Sequence, residues 1–340
     1  MRIIFSANDA GAGNCIYPLI KKLQKSHKLL VIASGPSKEI LSSHNISFQN
    51  GDSTNSIKLT TLVYDFEADV FVSGSSLGMT IDKEILNISK LYNIPSVYIL
   101  DFWSNYWQRF STSKKDFRFL PTKICVMDKI AKEEMLKEGF YSKVIAITGN
   151  PYFDQFRKKT YRKARRNKIV FVSQPLSKIN HKKNIKHFRV DEVIVLNALL
   201  SVLANIKSPY ELIIRPHPSE SHNKFEKIVS KYNLGATFDE GSLENCLSSS
   251  QLVIGINSAA LLVANLMGKS VISYFSGEKG DFNIIKKCLG IKTVVSNVAD
   301  LKTLIEKYFN SKLGNTTTTP LLVANAKTNI FNIISLYGKR

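Results

Sequence analysis

The chain has 340 residues, 44% hydrophobic and 22% charged, with 47 Lys and Arg against 27 Asp and Glu and a net charge of +20. That length exceeds one ordinary core, so two domains are expected, and the composition is that of a soluble globular protein. No stretch approaches the roughly 18 apolar residues of a membrane span, the N-terminus reads as a strand rather than a signal peptide, and the cysteines Cys15, Cys125, Cys246 and Cys288 stand singly, without metal-ligand or secreted-framework spacing.

From the N-terminus, Arg2-Ile3-Ile4-Phe5-Ser6 is a short apolar strand, followed by Ala7-Asn8-Asp9-Ala10-Gly11-Ala12-Gly13-Asn14 and a helix with apolar positions Ile16, Leu19, Ile20 and Leu23. Strand, Gly-rich loop and helix open a doubly wound unit. Gly11 and Gly13 let backbone approach a ligand, and free N–H groups at the helix start suit an anion. The spacing is not GxGxxG, and no acidic residue closes the next strand, Leu29–Ala33. Asp9 is a carboxylate placed either to cap the helix or to act as a general base.

Alternation continues through Val70–Gly74, a helix ending near Leu91, and Ser96–Leu100. The segment after it, from Asp101 to Phe110, holds both tryptophans, Trp103 and Trp107. Aromatics past a strand end suit stacking on sugar rings, and equally a local core under the loop. Strands at Lys123–Val126 and Lys143–Ile147 follow, the second ending in Thr148-Gly149-Asn150-Pro151. The order is βαβα throughout, hence a parallel sheet with helices on both faces.

Arg157 to Lys168 is nearly all basic. It reads as the exit from the first domain, either a solvated linker or a contact with anionic lipid. The second half repeats the pattern. Ile169–Val172 leads into Ser173-Gln174-Pro175, a polar stretch runs to His187, and a helix extends to about Ile206. Tyr210–Ile214 then leads into Arg215-Pro216-His217-Pro218-Ser219-Glu220. Prolines stiffen that loop, and an Arg fork beside an imidazole suits a phosphate. Gln251–Gly255 is a strand, and Asn257 or Ser258 caps the apolar helix after it, a second anion site. Ser270–Tyr274 is the next strand, and a last helix runs from about Leu321 to Leu336. Three loops, carrying Gln174, Arg215 with His217 and Pro218, and Asn257 with Ser258, should leave one sheet edge and converge on one phosphate.

Two doubly wound halves, a Gly-rich first loop, the TGNP junction and a closing helix resemble the GT-B glycosyltransferase fold: two Rossmann-like domains facing a cleft. The specific part is "SQP", "IRPHPSE" and "GINSAALL…GK", similar to bacterial capsule and lipopolysaccharide transferases that use CMP-activated sialic acids, related nonulosonates or Kdo. The resemblance implies that His217, Pro218 and Ser258 hold the donor phosphate, with Arg215 beside them. It further implies domains at 1–155 and 168–315, a linker at 156–167, and a tail at 316–340 packing back on the first domain. Asp239-Glu240-Gly241 departs from the family's acidic motif by following the HP motif, so Asp9 is the candidate base, and Asp101, Trp103 and Trp107 the candidate acceptor contacts.

The expected activity is transfer of a sugar from a nucleotide-activated donor to a surface-glycan, lipid-linked or protein acceptor. Protein cations would replace a metal, and no cofactor is called for. The expected place is the cytoplasm, with peripheral contact at an anionic membrane. UDP-N-acetylglucosamine 2-epimerases share the fold but carry a glutamate pair where Asn257-Ser258-Ala259-Ala260-Leu261-Leu262 stands. CDP-glycerol-type glycerophosphotransferases remain an alternative. A nucleic-acid-binding protein, suggested by the charge, lacks a recognition motif or interleaved aromatics.

Overall fold

The computed structural model describes residues 1–113, 116–157, 167–178, 190–275, 284–314 and 316–338. The chain divides into two compact units, Met1–Gln155 with Leu322–Arg340, and Phe156–Leu321. The greater part of the basic run, residues 158–166, and most of the polar stretch, residues 179–187, lie outside the described residues.

In unit 1 the chain runs β1 (Arg2–Ala7), α1 (Ala10–Leu23), β2 (Lys28–Ala33), α2 (Ser37–Ser43), β3 (Gln49–Asn50), α3 (Ser56–Asp65), β4 (Val70–Gly74), α4 (Ile81–Leu91) and β5 (Ser96–Ile99). It continues through α5 (Tyr106–Phe110), β6 (Lys123–Val126), α6 (Lys129–Lys137), β7 (Ile145–Ile147) and α7 (Pro151–Arg157). The sheet order is β3-β2-β1-β4-β5-β6-β7, and every pairing is parallel. Helices cover both faces of such a sheet, which is why β4 and β5 are apolar without alternation and buried along their whole length.

Unit 2 repeats the winding with β8 (Lys168–Val172), α8 (Glu192–Leu203), β9 (Glu211–Arg215), α9 (His222–Val229), β10 (Thr237–Phe238), α10 (Leu243–Ser248), β11 (Leu252–Gly255), α11 (Ala259–Leu266), β12 (Ser270–Tyr274), β13 (Val294–Val295) and α12 (Val298–Phe309). Its order is β10-β9-β8-β11-β12-β13, again parallel. Both units reverse their strand order beside the first strand, at β1/β4 and at β8/β11. Loops at the C-terminal ends of those strands diverge there and leave a crevice.

The closing helix, α13 (Ala326–Ser335), begins a few residues later than the apolar pattern predicts. The chain before it runs extended, with Val323 N–H donating to Met127 O at 3.2 Å. Ile330 and Ile334 are fully buried against the core of unit 1, among Ile16, Leu19 and Leu23 of α1. Burying two such side chains contributes roughly 3–6 kcal/mol, enough to hold the tail on unit 1. Asn150 of the TGNP junction is structural: its Nδ2 donates to Leu100 O at 3.0 Å, and Tyr152 N–H donates to its Oδ1 at 2.8 Å. Among the described residues no helix is long and apolar enough to cross a membrane.

Candidate functional site

The loops after β8, β9 and β11 leave one edge of the second sheet, and those three strands are neighbours. Gln174 follows β8 and Asn257 follows β11, facing each other across the reversal. Gln174 Nε2 donates to Asn257 Oδ1 at 3.0 Å, and Asn257 N–H donates to Gln174 Oε1 at 2.9 Å. The pair fixes the backbone immediately before α11. Ser258, the N-cap of α11, has extended φ/ψ but makes no side-chain cap bond. Its Oγ, like that of the 7%-exposed Ser173, has no hydrogen-bond partner among the described residues. The Ser258 hydroxyl is therefore uncommitted at the start of α11, where Leu261 N–H already donates to Ser258 O at 3.0 Å, and a helix start of this kind can receive an anion.

His217 follows β9, two strand spacings or about 10 Å from β11. Ser219 N–H donates to His217 Nδ1 at 3.2 Å, and Ser219 Oγ lies 2.9 Å from the same nitrogen. With Nδ1 accepting, the neutral ring carries its proton on Nε2, which becomes the outward donor. Desolvation by the loop lowers the His217 pKa, Lys178 pushes the same way and Glu220 opposes it. The shift favours the neutral ring. Glu220, the last residue of the IRPHPSE stretch, fixes the loop: its Oε2 accepts His217 N–H at 3.0 Å and its Oε1 lies 2.9 Å from Lys224 Nζ. Lys224 also pairs with the fully buried Glu192 of α8, which accepts Ser177 N–H at 3.0 Å.

Arg215 differs from the phosphate-binding expectation. Its Nη1 pairs with the Asp239 carboxylate and donates to Gly241 O at 2.8 Å. This ion pair ties the end of β9 to the segment after β10. Asp239, set aside as a catalytic acid by its sequence position, is the residue that holds it.

In unit 1 the corresponding edge is acidic. Asp9 is the N-cap of α1, yet its carboxylate makes no cap bond and Oδ1 accepts Asn8 Nδ2 at 2.7 Å. Asn8 is held in turn by Ser34 Oγ at 2.8 Å. A Cβ on Gly11 would stand 2.0 Å from Asp101 Oδ2, so Gly11 is needed to admit the Asp101 carboxylate beside the first turn of α1. Gly13 is closed in by Ser37 and Ile40, with a Cβ contact of 3.2 Å to each. Packing therefore accounts for both Gly11 and Gly13. One admits a carboxylate and the other admits a helix.

Asp101 is fixed by Arg109, whose Nη1 lies 2.7 Å from Asp101 Oδ1 and donates to Ser75 Oγ at 2.9 Å and Ser75 O at 3.1 Å. Beneath this rim lie Asp82 and Lys83, 0% and 1% exposed. Burial raises the Asp82 pKa to about 6, with Thr80 and Lys83 opposing. Trp103 is the second correction. It is 3% exposed, stacks on Phe153 with centroids 6.2 Å apart, and donates from Nε1 to Asp128 Oδ2 at 2.9 Å. It is the local core under the loop and presents no face to a sugar. Trp107 is half-buried, its backbone N–H donating to Glu138 Oε2 at 2.9 Å.

Sequence reasoning missed Ser173, Lys178, Arg109, Asp82 and Lys83. Ser173 had a signal, standing first in "SQP" at a strand end. The buried Asp82–Lys83 pair had none, since charged residues opening a helix normally face solvent.

The family model described as alpha-2,8-polysialyltransferase (POLYST) matches residues 102–273, just over half of the chain's 340 residues. No curated protein sequence matches. The solved UDP-GlcNAc 2-epimerase from Neisseria meningitidis, bound to UDP-GlcNAc, has a TM-score of 0.65 at 14% identity, covering 99% of this chain and 100% of that one. MnaA of S. aureus with UDP gives 0.68 at 14% identity, over 99% and 97% of the two chains. HepE of Anabaena with UDP-glucose gives 0.59 at 14% identity, over 98% and 94%. At such identity these likenesses establish the two-Rossmann, GT-B-type fold.

Proposed function

The chain belongs to the alpha-2,8-polysialyltransferase family, and we propose that it transfers a sialic acid-type sugar from a CMP-activated donor to a hydroxyl of a glycan acceptor. The observation that carries this reading is the unpartnered Ser258 hydroxyl at the start of α11, pinned by the Gln174–Asn257 pair on the sheet edge that also carries His217. A leaving nucleotide develops negative charge on its phosphate oxygen, and fixed neutral and dipolar donors stabilise that charge without reorganising.

In the proposed reaction the acceptor oxygen attacks the anomeric carbon. The bond from that carbon to the phosphate oxygen breaks, CMP departs with the electron pair, and Asp9 takes the hydroxyl proton. Asn8 holds the Asp9 carboxylate through Oδ1, leaving Oδ2 for the proton. Asp101 and Trp107 are proposed acceptor contacts. The run from Arg157 to Lys168 is proposed to meet anionic lipid, at roughly 1 kcal/mol per basic residue near the surface.

The test is thermal stabilisation by CMP, CDP, UDP, GDP and dTDP. CMP at about 100 times its dissociation constant should stabilise by about 2.7 kcal/mol, and His217→Ala should lose that shift. Stabilisation by UDP alone would favour an epimerase, stabilisation by CDP alone a glycerophosphotransferase. No shift with any nucleotide would remove the donor-site reading.

A further inference from the structure

The loops that carry Gln174 and His217 leave neighbouring strands, β8 and β9. Sheet pairing holds them together as far as Ser173, whose N–H donates to Arg215 O at 3.0 Å. Past that point the connection runs through side chains. Ser177 follows Gln174 on a turn closed by Leu176 N–H, which donates to Gln174 O at 2.7 Å. The Ser177 N–H donates to Glu192 Oε2 at 3.0 Å, and its hydroxyl donates to Glu192 Oε1. Glu192 opens α8, and Lys224 Nζ of α9 pairs with the same Oε1. Lys224 Nζ also donates to Glu220 Oε1 at 2.9 Å, and Glu220 Oε2 accepts His217 N–H at 3.0 Å. One ammonium thus closes a path of bonds from the first loop to the second.

Both carboxylates are buried. The Glu192 side chain is 0% exposed and that of Glu220 3%, against 29% for Lys224. Taking ions out of water is costly, and replacing buried ion pairs by apolar residues is often neutral or stabilising. Stability is therefore a poor reason for this trio. Burial pushes the Glu192 carboxyl up, but the bonds from Lys224 and Ser177 outweigh it and hold the group below its ordinary value. An ammonium gives what an apolar side chain does not, a point charge that fixes two acceptors relative to each other.

We infer that Lys224 is a positioning residue for the donor: with Glu192 and Glu220 it sets the spacing between the Gln174 loop and the His217 loop, so that both meet one phosphate group at a fixed separation. The inference rests on the donor-site reading above. Gln174 in turn pins Asn257, so the clamp reaches all three loops of the edge. Lys224 acts through those loops and not by touching the nucleotide.

The experiment combines CMP titration calorimetry with amide hydrogen exchange on the full chain. Lys224→Met should weaken CMP binding roughly tenfold, the scale of one hydrogen bond to a charged group. Turnover should fall by about one to two orders of magnitude, since a misplacement of about 1 Å can cost about 100-fold. The melting temperature should drop as well, because Glu192 and Glu220 lose their shared cation. The double substitution Lys224→Met, Glu192→Gln removes one stranded charge. It should recover melting temperature while CMP binding stays roughly tenfold weak, a split that a merely structural role would not produce. Where the single variant fails to fold, the double variant is the one measured. In either variant, without ligand, the Ser177 and His217 amides should exchange faster. Val195→Ala, which truncates a fully buried side chain of α8, should lose stability and keep CMP affinity. Recovery of CMP affinity together with stability in the double variant overturns the inference. So does an equal affinity loss in Val195→Ala, or unchanged exchange at both amides. Absence of CMP binding in the unaltered protein counts against the donor reading instead, and amide exchange then still reads the clamp.

Discussion

Gln174 and Asn257, 83 residues apart, hydrogen-bond in both directions across the strand-order reversal of the second sheet, at 3.0 and 2.9 Å. One bond joins side chain to side chain and the other joins a side chain to the backbone that opens α11. Each is worth only about 0.5–1.5 kcal/mol net, but together they fix where the helix presents its free N–H groups. A site that stabilises charge works to the extent that its donors are already in place.

That relation makes the first prediction. Gln174→Ala and Asn257→Ala should each weaken CMP binding, and the double substitution should weaken it little beyond either one. A coupling of about 0.5–3 kcal/mol is expected in a double-mutant cycle read by titration calorimetry. Additive losses would mean the two amides contact the nucleotide independently.

Asp9→Asn keeps size and the bond from Asn8 to Oδ1 but removes the basic oxygen. Turnover should fall by roughly two to four orders of magnitude, with CMP affinity nearly unchanged. A matching loss of nucleotide affinity would reassign Asp9 to donor binding.

Asp82 predicts a pH dependence of stability. Burial raises its pKa to about 6. From the ordinary carboxylate range up to about 6, the folded chain therefore holds a proton that the unfolded chain has released. Stability falls as pH rises through that window and stays lower above it. Asp82→Asn should flatten that slope and stabilise the protein at pH 7 by at most about 3 kcal/mol. Urea unfolding across the window checks this, and a slope that survives the substitution belongs to another group.

Trp103→Phe tests the packing role. It removes the donor to Asp128 Oδ2, and burial already pushes the Asp128 pKa up. Stability should drop by about 1–3 kcal/mol, with CMP stabilisation unchanged. A changed acceptor KM at unaltered stability would instead restore Trp103 to the acceptor site.

Strand and helix order, the two doubly wound halves and the edge that gathers Gln174, His217 and Ser258 follow from local pattern, because burial on both sheet faces demands continuous apolar runs and the turns between them punctuate the chain. The two-residue strands β3, β10 and β13 are too short to carry a period. Side-chain commitments are a different matter. Arg215 reads as a phosphate fork in sequence, while the fold sets Asp239, 24 residues later, against its Nη1. Gly11 looked like a ligand approach until Asp101 filled the space. Trp103 looked available for stacking until Phe153 and Asp128 took its face and its N–H. Sequence alone determined which residue types reach the strand ends. Only the tertiary structure decided which of them were already spent, since a donor or a charge is satisfied by whatever folding brings beside it, and those partners lie far away along the chain.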